Sequence, residues 1–178
     1  ITAPNPTAPK TADRSRAYRD VYERAVVDAA FLWLLRSIAV DQPHYAPADL
    51  VALEQRLDAQ LDLLMSSLDP GWQACENALH LQQPGEAFTA AVIALRSHDL
   101  AKIQTAIQTG LADQHTFKGL VSALGWLPAP IVLPWVERLL KGKDMNHKTL
   151  GVAACSVRRY DPGELLTDIL QREDCQNH

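Results

Sequence analysis

The stretch FKGLVSALGWLP, residues 117–128, frames the rest of the chain. Small residues (Gly119, Ser122, Ala123, Gly125) alternate there with large apolar ones (Leu120, Val121, Leu124, Trp126), and a proline closes the run. Two other segments fit the same frame. Residues 88–96 read FTAAVIALR, 29 positions earlier, and residues 149–157 read TLGVAACSV, 32 positions later. One helical unit written three times at a spacing of about 30 is the signature of an α-helical repeat array. Each unit in such an array is too small to bury its own apolar face and relies on its neighbours.

Working outward, each of these helices is followed by a break and a second apolar period. The first pair predicts a helix over 86–96, a loop at Ser97-His98, and a helix capped by Asp99 that carries Leu100, Ile103, Ala106 and Ile107 and stops at Gly110. The second pair predicts helices on either side of Pro128-Ala129-Pro130, with Pro134 in the first turn of the latter, where a missing N–H is tolerated. The third pair flanks Tyr160-Asp161-Pro162-Gly163. The expected fold is therefore all-α: three HEAT-like helix pairs (85–110, 116–142, 147–172) filling 85–174, behind an N-terminal helical cap over 12–84.

Within that cap, a first helix starts near Asp13 or Ser15 and carries Tyr18, Tyr22, Ala25 or Val26, Ala29 and Trp33 inward. Over residues 31–35 it is apolar on nearly every side, which predicts burial all round. A turn at 41–47 leads to a second helix over 47–68, with Pro47 at its first position. Leu50, Leu53, Leu57, Leu61, Leu64 and Leu68 recur there every three or four residues, the seam of an antiparallel partner. Asp69-Pro70-Gly71 reads as a turn before a short helix over 72–81. Residues 1–11, with three prolines, read as a disordered leader, and the polar tail after Glu173 as frayed.

The 178 residues are 47% hydrophobic with a net charge of −4. The charge is uneven: residues 1–40 are net +2, residues 41–115 net −7, and residues 116–178 net +1. An acidic middle argues against a nucleic-acid binder and for a basic partner. Three cysteines far apart, without a C-x-x-C, suit a reducing compartment rather than a disulfide or zinc scaffold. The apolar run 29–35 is too short to span a bilayer. These features together predict a cytoplasmic protein with no cofactor and no metal.

No nucleophile elbow, zinc-protease motif, phosphate loop or dinucleotide fingerprint occurs. His98 beside Asp99, and His115 close to Asp113, fall in loops and read as surface or capping residues. The basic cluster Lys141, Lys143, Lys148, Arg158 and Arg159 has acidic residues interleaved, which disfavours phosphate binding. On the second helix Glu54, Asp58 and Asp62 stand at i, i+4 and i+8. Like charges at that spacing cost about 0.2–0.5 kcal/mol per pair, so the stripe is either a solvated face or a docking face for a basic partner. Glu54, Asp58 and Asp62, with Asp99 and Asp113, are the candidate partner-binding residues; no residue is a candidate catalyst.

The segments AAFLWLLR (29–36), PHY (43–45), GW (71–72), GLVSALGWLP (119–128), LGVAAC (150–155) and DPG (161–163) together resemble a bacterial family of HEAT-repeat proteins. Some of its members are encoded beside type VI secretion effectors. The resemblance spans about residues 18–172, and this chain has fewer repeats than longer members. Within the family it is similar to TsiT-like immunity proteins. The resemblance implies a protein that binds and neutralises a type VI effector, a nuclease among the possibilities. The alternatives are a chaperone or adaptor that loads such an effector, and a HEAT-scaffold enzyme acting on nucleic acid.

Overall fold

The computed structural model describes residues 11–171, which form nine α-helices and no strand. The helices are α1 (Thr11–Ala39), α2 (Pro47–Ser66), α3 (Leu68–Ala78), α4 (Pro84–Ser97), α5 (Leu100–Gly110), α6 (Gln114–Trp126), α7 (Ala129–Lys141), α8 (Met145–Arg158) and α9 (Glu164–Gln171), with a single 3-10 turn at Leu79–Leu81. The predicted leader, but for Thr11, and the frayed tail lie outside the described residues. Helices α1, α4, α6 and α8 form a row, each packed on the next. Helices α2 and α3 pack against α1 and α4, α5 against α4 and α6, α7 against α8, and α9 on α7.

The starts of the helices follow from local chemistry. Asp99 accepts the N–H groups of Ala101 and Lys102, Asp113 that of His115, and Asp144 that of His147, so three helices have a carboxylate over their unsatisfied first turn. Pro47 and Pro84 each occupy the first helical position. Arg158 of α8 satisfies an end. Its guanidinium donates to the carbonyls of Leu124 and Leu127, at 2.8 and 2.7 Å, where α6 runs out of partners.

Helix α4 is the centre of the molecule. From Gly85 to Leu95 every residue but Glu86 is buried. Two glycines let its neighbours come close. A Cβ on Gly85 would lie 2.7 Å from the Ala30 carbonyl oxygen of α1, and one on Gly119 of α6 only 2.0 Å from the Pro84 carbonyl oxygen. Across the same contact an aromatic row runs from α1 to α6: Trp33 stacks on Phe88 with centroids 5.6 Å apart, and Phe88 meets Trp126 edge-on at 5.8 Å. The Trp33 indole N–H donates to Ser122 Oγ at 2.8 Å.

Several expectations need correction. Residues 31–35 are not buried all round: Phe31 is 59% and Leu34 46% exposed. Helix α1 stands at the end of the row and has a neighbour on one side only, whereas α4 has one on each. Tyr18 is exposed while Tyr22 is buried, because the core begins one turn further along. Helix α2 ends at Ser66, and the backbone is extended at Ser67. Asp69-Pro70-Gly71 is therefore not a turn but the start of α3, where proline is tolerated because the first-turn N–H groups lack intrahelical acceptors anyway. Leu68 accordingly belongs to α3. Pro134 lies inside α7, beyond its first turn, so the Pro130 carbonyl loses its intrahelical donor.

Candidate functional site

Glu54, Asp58 and Asp62 of α2 face a groove of about 730 Å³. The rest of its lining is Arg36 of α1, Val92 and Arg96 of α4, and Gly125, Trp126, Leu127, Pro128 and Ile131 around the junction of α6 and α7. The leucine seam explains how the stripe reaches it. Leu53, Leu57, Leu61 and Leu64 are buried. Glu54, Asp58 and Asp62 each follow one position after a buried leucine and so lie along the edge of the buried face.

Each carboxylate takes a donor from a different helix. Arg36 at the end of α1 donates to Glu54 at 2.9 Å. The Trp126 indole N–H at the end of α6 donates to Asp58 at 3.2 Å. Arg96 at the end of α4 donates to Asp62 at 2.7 Å. The Arg36 guanidinium also lies 5.9 Å from the centre of the Trp126 ring, the reach of a cation–π contact. The stripe is thus a polar seam between α2 and three helices of the row. It is uneven in exposure: the side chains of Arg36 and Glu54 are each about a third exposed, at 37% and 35%, but that of Asp62 is 67% exposed. An ion pair as open as Arg96–Asp62 contributes about 0–1 kcal/mol, so an incoming charge can displace it.

Asp99 and Asp113 are not among the groove residues. Both serve as helix caps, and Asp99 also accepts from Lys102 Nζ at 2.6 Å. The Lys102 side chain, then the backbone N–H groups of Lys102 and Ala101, hold the Asp99 carboxyl below its usual range. His115 is the second residue of α6 and His98 a left-handed C-cap of α4. The basic cluster near the C-terminus does not form one patch. Lys148 is 1% exposed, Arg158 is turned onto the end of α6, and Lys141, Lys143 and Arg159 remain exposed. Among the described residues no group of three or more His, Cys, Asp or Glu side chains is placed to hold a metal, and no helix is long and apolar enough to cross a membrane.

Arg36, Arg96 and Trp126 are the polar partners in the groove that sequence reasoning missed. Two carried a signal. Arg36 and Arg96 each end an almost wholly apolar helical run, LWLLR and VIALR. A lone charge at the end of a buried helix needs a partner, and α2 holds the carboxylates at two-turn spacing. Trp126 carried none, since its partner is 68 residues away.

Comparison of the chain with protein-family models, with curated proteins and with solved structures finds no match.

Proposed function

We propose that this chain is a non-enzymatic protein-binding module that takes a basic partner in the groove beside α2. In its most specific form the reading is a cytoplasmic immunity protein that neutralises a type VI effector toxin, a nuclease. The observation that carries it is the groove: three carboxylates, two arginines and an indole converge on one concavity, leaving it net acidic in a chain whose middle third is net −7. The resemblance adds support, because its two longest motifs each place a side chain there, Arg36 from AAFLWLLR and Trp126 from GLVSALGWLP.

The row α1–α4–α6–α8 is what supports reading the chain as HEAT-like repeats behind a cap of α1–α3; of the pairs α4–α5, α6–α7 and α8–α9, only α4–α5 packs closely, and α7 lies on α8 instead. On this reading a lysine or arginine of the effector replaces Arg96 at Asp62 and approaches the Trp126 face. A nuclease presents such residues to phosphate, so covering them blocks its substrate. The inhibitor needs no chemistry of its own.

Growth tests the proposal. Cells that produce the effector encoded beside this protein should grow when the chain is co-produced, and lose that protection when Asp58 and Asp62 are both replaced by lysine. Protection by a different neighbour, with this chain dispensable, would falsify the immunity role. A gain in effector solubility or secretion without loss of its activity would replace that role with a chaperone's.

A further inference from the structure

Helix α1 carries a second surface, unrelated to the groove. Val27, Phe31, Leu34 and Ile38 are all large, apolar and exposed. Their spacing of 4, 3 and 4 sets them in one line along the helix, the geometry of a helix–helix seam. The line lies about half a turn of the helix away from Arg36, so it faces away from the carboxylates of α2. A contiguous apolar strip of this kind marks an interaction surface rather than scattered exposure.

The ends of the strip identify the occupant. Arg24 precedes Val27 by three residues and Asp41 follows Ile38 by three; both are exposed. The Val40 N–H still bonds to the Arg36 carbonyl, so the chain keeps a helical course almost to Asp41. The series 24, 27, 31, 34, 38, 41 has spacings of 3, 4, 3, 4 and 3, and so reads the same in both directions. A two-fold axis between Phe31 and Leu34 maps the strip onto itself. It sets Val27 against Ile38 of a second copy, Phe31 against Leu34, and Arg24 against Asp41. A parallel pairing sets arginine on arginine and aspartate on aspartate, which repel. Beside the strip, Val27, Ala30, Phe31 and Leu34 and the first turn of α4 enclose a hollow of about 300 Å³. It admits a side chain from the facing helix.

We propose that α1 is a self-complementary interface that pairs two copies of this chain antiparallel about a two-fold axis. The contact is isologous, as such dimers are. One helix and the start of another make a small interface, so the dimer is weak and concentration-dependent. Both grooves remain open, and the dimer presents two partner-binding faces.

Sedimentation velocity over about 1 to about 300 µM tests this. The full chain should shift from monomer to dimer across that range. Replacing Phe31 and Leu34 together by serine should raise the dissociation constant roughly tenfold or more, with helicity and melting unchanged because both side chains face solvent. Arg24→Asp should weaken the dimer, and adding Asp41→Arg should restore it. A chain that stays monomeric throughout overturns the proposal. So does a dimer indifferent to the serine pair, or a charge swap without recovery. Partner binding by a monomeric chain would sink the α1 pairing alone and leave the groove reading intact.

Discussion

Gly119 of α6 sits where an added Cβ would lie 2.0 Å from the Pro84 carbonyl oxygen of α4. Adding one carbon there forces α6 away from backbone atoms of α4, which cannot rotate aside as a side chain would. Gly119→Ala should lower stability by about 1–3 kcal/mol, the usual cost of overpacking. Chemical denaturation measures it, and an unchanged midpoint would show that the row tolerates a wider gap. Cys75 offers a second test at this scale. Burial pushes its thiol up to about 12 from an ordinary 9.0. The unfolded chain therefore releases that proton first, so stability is fully present below pH 9 and falls as pH rises toward 12. Against a Cys75→Ala variant, the wild-type chain should lose more stability across that window. Parallel curves would mean that the thiol reaches solvent in the native state. The small residue in FKGLVSALGWLP announced a close approach; which helix approaches was not legible, because Pro84 lies 35 positions upstream of Gly119.

Among the elements, α2 is the one whose reading changed most. Its leucine seam was legible because period alone decides which face is buried. Its acidic face was legible as a stripe and not as a seam, because Arg36, Arg96 and Trp126 come from three separate helices. The two ion pairs should differ in strength. Arg36–Glu54 is the more enclosed, and its arginine also borders Trp126; Arg96–Asp62 is open to water at the carboxylate. Double-mutant cycles with Arg→Met and acid→amide changes should give a coupling of about 0.5 kcal/mol or less for Arg96–Asp62 and a larger one for Arg36–Glu54. The reverse order would mean that exposure does not govern these pairs. The end of α2 was misread for a physical reason as well. Asp-Pro-Gly is as compatible with the first turn of a helix as with a turn between helices, and only the extended backbone at Ser67 decides between them.

At the scale of the whole molecule, all-helical architecture was legible because apolar period and break residues recur along the entire chain. Burial all round was assigned to α1 and belongs to α4, since an apolar segment says nothing about its place in the row. The charge asymmetry gives a kinetic prediction. On the proposed function, long-range attraction by the acidic middle sets the association rate with a basic partner, and that attraction is screened by salt. Asp58→Lys with Asp62→Lys should slow association by roughly tenfold at low ionic strength and flatten its salt dependence. Circular dichroism checks that the fold survives. An identical rate and salt slope would remove the groove from the encounter.

The three-way fastening of α2 limits how this protein changes over generations. A carboxylate that holds a neighbouring helix in a partly enclosed pair is not free to drift: replacing Glu54 strands Arg36, whereas Asp62, open to water, is replaced at little cost. On the proposed function, selection for a new partner therefore falls on groove residues outside α2 that do no such double duty. Pro128 is exposed, and Ile131 is half-buried with its side chain lining the groove. On that reading, variants that diverge in whom they recognise should vary there first, around a Glu54 that stays as it is.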